Sequence, residues 1–150
     1  MTDPVSKPSR IVFFGTPSFA VHALAALHRY PKMFSLVGVV TQPDKPAGRG
    51  KKITPSDVKI WSEVHHLPVF TFASLKESVI RAEIEQLSPD ILIVAAYGKL
   101  FPDWLLKFPK HGCINIHASL LPALRGASPI AHAILYGLSH TGVTIMRMVK

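Results

Sequence analysis

The chain has 150 residues, of which 48% are hydrophobic, so it can bury one substantial core but is too short for two ordinary domains. Its 17 Lys and Arg against 9 Asp and Glu give a formal charge of +8, which leaves two interpretations open, a polyanionic partner or solubility alone. The single cysteine, Cys113, excludes an internal disulfide framework, and no apolar run has the length of a membrane span. We therefore expect a cytoplasmic protein with no membrane partner, preceded by a flexible tail at residues 1–9.

Apolar runs and helical periods alternate from residue 10 onward. We predict a first strand at residues 10–15 and then a helix capped by Thr16 or Ser18. Further strands are predicted at residues 36–41, 68–70, 91–96, 112–117 and 141–148, and further helices at residues 56–65, 75–87, 102–107 and 129–136. Because helices separate strands that are apolar on both faces, the pattern predicts an α/β fold with a doubly wound, mostly parallel sheet flanked by helices.

A basic segment follows the second predicted strand. Residues 42–55 are rich in Pro, Gly, Lys and Arg, and we predict a flexible loop there. Four cations lie in it, namely Lys45, Arg49, Lys51 and Lys52. Since a mobile basic loop can follow a nucleic-acid backbone and release counterions, its composition favours nucleic-acid contact over a merely solvated loop.

Two polar side chains end the predicted strand at residues 112–117. Asn115, the only asparagine in the chain, lies two residues before His117, so both side chains point to one face of a strand. At the carboxyl end of such a strand, an amide and an imidazole can donate to a developing oxyanion, and the imidazole can also move a proton. The pair thus indicates acyl transfer, with an ordinary Asn and His bonded to the backbone as the alternative.

A metal site is a further alternative. His111, Cys113 and His117 share one parity along the strand, and residues two apart can both ligate a metal ion. However, the sequence has no His-Glu-x-x-His or Cys-x-x-Cys, and the turn at Gly15 lacks a dinucleotide or Walker-type pattern. We therefore expect no metal or nucleotide cofactor, and we interpret Cys113 as a small buried hydrophobic residue.

Six segments taken together resemble the methionyl-tRNA formyltransferase family. They are residues 14–17, 41–52, 96–98, 115–122, 125–130 and 141–146, and the resemblance spans nearly the whole chain from Arg10 onward. The Asn-x-His and Ser-Leu-Leu-Pro elements within residues 115–122 are shared with other enzymes that use 10-formyltetrahydrofolate, such as glycinamide ribonucleotide transformylase. The basic segment is more selective for the tRNA enzymes.

The resemblance implies a Rossmann-like formyltransferase domain at residues 10–150, truncated at its carboxyl end and without the family's barrel-like carboxyl-terminal domain. It implies a bacterial, cytoplasmic and monomeric enzyme of translation initiation. The formyl group would pass from 10-formyltetrahydrofolate to the α-amine of methionyl initiator tRNA, and no metal would take part. The family's third catalytic residue, an aspartate expected after residue 148, is absent, so we expect this fragment to be nearly inactive.

The resemblance also implies roles for particular residues. Asn115 and His117 would bind and polarise the formyl group. The folate would lie against Ser119, Leu120, Leu121 and Pro122, and the tRNA would contact Lys45, Lys51, Lys52 and above all Arg49. Two alternatives stay open, a formyltransferase or hydrolase of the same fold acting on a small molecule and a nucleic-acid-binding module without catalysis.

Overall fold

The computed structural model of the protein describes residues 7–47 and 50–149. In these residues the chain forms, in order, β1 (Ser9–Gly15), α1 (Ser18–His28), β2 (Phe34–Thr41), β3 (Lys45–Ala47), β4 (Lys52–Thr54), α2 (Asp57–Val64), β5 (Val69–Thr71), α3 (Glu77–Leu87), β6 (Ile91–Ala95), α4 (Asp103–Lys107), β7 (Cys113–His117), α5 (Pro129–Leu135) and β8 (Thr144–Met148). None of the helices in these residues is both long and apolar enough to cross a membrane. Of the tail predicted at residues 1–9, Ser9 belongs to β1, and residues 1–6 lie outside the described residues.

Six strands form one sheet in the order β5-β2-β1-β6-β7-β8. Every neighbouring pair is parallel except β7 and β8, which run antiparallel. The predicted α/β fold with a mostly parallel sheet is therefore confirmed. Because the chain builds outward from β1 through β2 and then returns to β6 on the other side, the strand order reverses between β1 and β6. In open α/β sheets, ligands bind beyond the carboxyl ends of the strands near such a reversal.

Both faces of the sheet are covered by helices, which explains the unbroken apolar strands. On one face, Val12 and Phe14 of β1 pack with α3 and α4, and on the other face, Ile11 and Phe13 pack with α1 and α2. All four side chains are at most 1% exposed. Burial of such a side chain contributes about 1.5–3 kcal/mol, so these residues anchor β1 firmly in the core.

The predicted cap of α1 is wrong. Pro17 occupies the N-cap position without a side-chain hydrogen bond, and Thr16 Oγ1 instead donates to the carbonyl oxygen of Tyr97 at 3.1 Å. Proline at this place leaves the chain extended before the first turn, so the neighbouring hydroxyl is free to bond across the sheet edge. At α2, in contrast, the Ser56 hydroxyl accepts from Lys59 N at 3.0 Å as an ordinary N-cap.

The prediction that residues 42–55 form only a loop is also wrong. β3 and β4 pair antiparallel, with Lys45 opposite Thr54 and Ala47 opposite Lys52, and form a small sheet of their own. We call residues 45–54 the basic hairpin. A two-stranded ribbon has only edge strands, so it tolerates Pro46, which lacks an N–H. In its turn, Gly50 has a positive φ of 98°, a conformation that glycine adopts at little cost.

Candidate active site

Strand β7 carries Asn115 and His117 to the carboxyl edge of the sheet on one face. The alternating residues Ile114 and Ile116 pack into the apolar cluster on the opposite face. Asn115 lies opposite Val94 of β6, and His117 lies opposite Thr144 of β8, so hydrogen-bonded neighbours hold this strand end on both sides. Both polar side chains are half-buried, which leaves part of each accessible to a substrate.

The His117 ring is oriented by a backbone carbonyl. Its Nε2 lies 3.1 Å from the carbonyl oxygen of Leu124. A carbonyl oxygen only accepts, so this contact requires the proton on Nε2 and leaves Nδ1 with its lone pair when the ring is neutral. Leu124 adopts a positive φ of 53°, which marks a sharp local turn of the loop. The imidazole is thus held in a state that can exchange a proton with a bound group.

The Asn115 carboxamide is available for a ligand. Within the part of the chain that the structure describes, its side chain forms no hydrogen bond. A half-buried amide without an internal partner can donate its N–H to an external oxygen at no cost in protein hydrogen bonds. Asn115 and His117 together therefore supply a free donor and a positioned proton carrier at one strand end.

The loop after β7 is held by Thr144 of β8, a residue that the sequence did not single out. Thr144 Oγ1 donates to Ser119 O at 2.7 Å and accepts from Leu121 N at 3.0 Å. Ser119 is fully buried, and its own hydroxyl donates to Ala123 O at 2.7 Å. Both hydroxyls are therefore used inside the protein, where they fix the backbone of the loop.

The four residues predicted to border a folate differ in their exposure. Ser119 is buried and Leu121 is half-buried, whereas Leu120 and Pro122 are exposed. Leu120 packs closely over Gly142, since a Cβ at that glycine would lie 2.6 Å from Leu120 Cδ2. The spacing of Thr and Gly in residues 141–144 was visible in the sequence, but its contact with the loop after β7 is a tertiary feature.

The basic hairpin emerges at the same edge of the sheet. It follows β2, whose carboxyl end points the same way as that of β7, because both are parallel to the two strands between them. Three inter-strand steps of about 4.8 Å place the two strand ends ~14 Å apart. Lys45, Lys51 and Lys52 are exposed on this hairpin. Arg49 lies outside the described residues.

Cys113 is a core residue at the opposite end of β7. It is 0% exposed, and its Sγ lies 3.5 Å from the carbonyl oxygen of Leu105. Burial raises the pKa of the Cys113 thiol to about 11, so the thiolate needed for nucleophilic attack or metal binding is disfavoured. Across residues 7–47 and 50–149, no group of three or more His, Cys, Asp or Glu side chains could hold a metal ion.

Two cavities lie apart from the Asn115 and His117 pair. One of about 400 Å³ is bordered by α4 and Arg147, where β7 begins, and one of about 370 Å³ lies between α1 and α2 around Trp61. Neither is lined by Asn115 or His117.

These features define a class of protein: a doubly wound α/β domain with an Asn and His pair at the carboxyl edge of its sheet, an arrangement suited to acyl transfer. A family model described as formyl transferase matches residues 9–150. The chain belongs to the formyl transferase family.

Several curated bacterial proteins are close in sequence, and all carry the name methionyl-tRNA formyltransferase. The chain is 49% identical to that of Nitrosomonas eutropha over 139 residues, which cover 93% of this chain and 43% of the relative. It is 52% identical to that of Marinobacter nauticus over 139 residues, or 93% of this chain and 44% of the relative. The chain thus spans less than half the length of the relatives that it matches.

Solved structures share the fold at lower identity. Glycinamide ribonucleotide transformylase 1 from Geobacillus kaustophilus superposes with a TM-score of 0.73 at 23% identity, covering 95% of this chain and 76% of that one. A formyltetrahydrofolate deformylase from Pseudomonas syringae pv. tomato superposes with a TM-score of 0.71 at 19% identity, covering 97% and 47%. At these identities the likeness shows the fold alone.

Proposed function

We propose that this chain is the catalytic region of a methionyl-tRNA formyltransferase, which transfers a formyl group from 10-formyltetrahydrofolate to the α-amine of methionyl initiator tRNA. The observation that carries this proposal is that Asn115, His117 and the basic hairpin all lie at the carboxyl edge of the six-stranded sheet. One region suits a formyl carbonyl and the other suits a phosphate backbone. The names of the relatives at about 50% identity support the same activity.

In the proposed reaction, the methionyl α-amine attacks the formyl carbon, a new C–N bond forms and the carbonyl oxygen becomes an oxyanion. The Asn115 N–H donates to this oxyanion, and His117 exchanges the proton that the amine loses. The intermediate then breaks its bond to N10 of the folate, which takes up a proton and leaves as tetrahydrofolate. The carbonyl of Leu124 keeps the imidazole oriented throughout.

For the folate, we propose a binding surface at Ser119, Leu120, Leu121 and Pro122, in which the exposed Leu120 and Pro122 supply apolar contact and the buried Ser119 shapes the backbone. For the tRNA, we propose Lys45, Lys51 and Lys52 together with Arg49. An Arg49→Ala exchange should impair tRNA use more than folate binding.

We assign residues 10–150 to the formyltransferase domain. Because the relatives are more than twice as long as the matched segment, we assign the complete activity to a full-length form that contains this sequence, monomeric and cytoplasmic in a bacterium. The 150-residue chain by itself should be nearly inactive in formylation.

To test the proposal, such a full-length form is incubated with 10-formyltetrahydrofolate that is labelled in the formyl group. Methionyl initiator tRNA and glycinamide ribonucleotide are present in equal amounts as competing acceptors. The proposal expects the label on the methionyl amine. Label on the amine of glycinamide ribonucleotide would overturn the proposal in favour of a small-molecule transferase. Release of the label as free formate would overturn it in favour of a hydrolase. A binding module without catalysis would leave the label on the folate.

A further inference from the structure

Gln42 is a buried amide that bridges two parts of the protein. It comes directly after β2, is only 8% exposed, and its Nε2 donates to the carbonyl oxygen of Tyr97 at 2.9 Å. At its other end, Oε1 accepts from Lys45 Nζ, the first residue of the basic hairpin, at 3.1 Å. Both polar ends of the side chain are therefore used inside the protein.

The carbonyl of Tyr97 connects three strand ends. It accepts from Gln42, which follows β2, and from Thr16 Oγ1, which follows β1, while Tyr97 itself lies two residues after β6. The turn after β6 runs beside the end of β7, because Ala95 pairs with Ile116, the residue before His117. Gln42 thus connects the basic hairpin to the turn next to the Asn115 and His117 pair.

The fit around Gln42 is close. Gly98 has a φ of +84°, and a Cβ there would lie 3.3 Å from Gln42 Nε2. An ordinary residue at this position would be strained in its backbone, and the Gln42 amide would have to shift by a few tenths of an ångström. The turn therefore packs closely against Gln42.

A second contact holds the base of the hairpin from the other side. Asp44 Oδ2 accepts from Lys59 Nζ of α2 at 2.8 Å. This ion pair fixes the hairpin to a helix, but it makes no connection to β6 or β7. Of these two connections, only Gln42 leads toward the catalytic strand end.

We propose that Gln42 is a positioning residue that holds the basic hairpin in register with the Asn115 and His117 strand end, so that an RNA bound on the hairpin presents its terminal amine there. The inference rests on the proposed function for its RNA, although its geometric part does not. Loss of the bridge should loosen the hairpin from the turn after β6, although the Asp44–Lys59 ion pair remains, and it should leave the folate side of the site unaltered.

The geometric part is tested on the 150-residue chain with Gln42→Met, which has nearly the same shape but neither donor nor comparable acceptor. Trypsin should cleave after Lys51 and Lys52 on the order of tenfold faster than in the wild type, as expected for the loss of one or two ordinary hydrogen bonds. The matched control is Gln86→Met, at the only other glutamine, which is exposed on α3. Equal cleavage in both variants would overturn the proposal.

The functional part is tested in the full-length form. Gln42→Met should raise KM for the tRNA about tenfold while leaving KM for 10-formyltetrahydrofolate unchanged, since only the hairpin moves. Gln42→Glu keeps an acceptor for Lys45 Nζ, but its carboxylate cannot donate to the carbonyl of Tyr97, so the tRNA KM should rise in this variant too. If Gln42→Glu had the same KM for the tRNA as the wild type, the proposed bridging role of Gln42 would be overturned.

The outcomes separate this proposal from the function on which it rests. Equal losses for both substrates, with a lowered melting temperature, would show a merely structural glutamine and overturn the positioning role. A wild-type enzyme that formylates no tRNA would overturn the proposed function and the functional part with it. Faster cleavage in Gln42→Met would then still support the geometric part.

Discussion

The two regions at the carboxyl edge of the sheet are built in opposite ways. The Asn115 and His117 strand end lies inside the six-stranded sheet, with β6 and β8 paired on either side. The basic hairpin pairs only with itself through two three-residue strands, and the described side chains of β4 are all exposed. A strand end inside a sheet suits rigid positioning of reacting groups, whereas an exposed ribbon suits contact with a long charged partner.

The largest effect should come from the rigid region. In a full-length form, Asn115→Ala or His117→Ala should lower kcat by roughly a hundredfold or more, because each removes a group that we propose to act on the transition state. Steady-state kinetics at saturating substrates measure this loss. His111→Ala, an exposed histidine just before the same strand, serves as the control. Near-normal kcat in the Asn115 and His117 variants would end their assignment.

The hairpin should show a different kind of effect. The double exchange Lys51→Gln and Lys52→Gln should weaken tRNA binding about tenfold and reduce the slope of log affinity against log salt by roughly 1.5, because fewer counterions are released. Binding titrations at several salt concentrations check this. The control, Lys107→Gln with Lys110→Gln, makes the same change in charge where β7 begins, away from the hairpin. If both pairs reduce the slope equally, the hairpin is not a specific RNA contact.

A substitution at Thr144 tests whether its hydroxyl stabilises the loop after β7. Thr144→Val keeps the shape but leaves Ser119 O and Leu121 N without their partner, so it should cost about 2 kcal/mol of unfolding free energy. For a chain of this size the melting temperature should fall by roughly 4–8 °C. Thr141→Val, at an exposed threonine, is the control. A Thr144→Val protein that melts with the wild type would show that the loop does not depend on this hydroxyl.

The smallest effect concerns how two buried titrating side chains, Cys113 and Tyr97, make stability depend on pH. Burial raises the pKa of Cys113 from 9.0 to about 11 and that of Tyr97 from 10.0 to about 12, so the folded state keeps protons that the unfolded chain loses. Stability should therefore fall as pH rises above about 9. Between pH 9 and 10 most of this fall should come from Cys113.

Urea unfolding at pH 8, 9 and 10 measures the fall. Cys113→Ala should flatten it, while Val94→Ala, another buried truncation without a titrating group, should lower stability by a similar amount at each pH. An unchanged slope in Cys113→Ala would contradict a buried neutral thiol in the folded state.

The sequence predicted the rigid region better than the hairpin, for a physical reason. Alternation along a strand is local, so the shared face of Asn115 and His117 followed from their spacing alone. The helices could be predicted for the same reason, because the spacing of their apolar residues is a local pattern in the sequence. The hairpin was predicted as a loop because Pro46 and Gly50 are read as breakers, although a ribbon of edge strands accommodates both.

The connections between segments could not be predicted in this way. The bonds from Gln42 to Tyr97 and from Thr144 to Ser119 join residues 55 and 25 positions apart in the chain. Their polar side chains look the same in sequence as any solvent-exposed Gln or Thr. Only the packing of the sheet brings their partners within reach.

If the two regions divide one reaction between them, single-turnover formylation as a function of tRNA concentration will separate their roles. We expect His117→Ala to keep the wild-type half-saturation but to have a greatly lowered maximal rate. We expect the reverse for Lys51→Gln with Lys52→Gln, namely a shifted half-saturation and a wild-type maximal rate. A lowered maximal rate in the hairpin variant, or a shifted half-saturation in His117→Ala, would show that the two regions do not divide the reaction in this way.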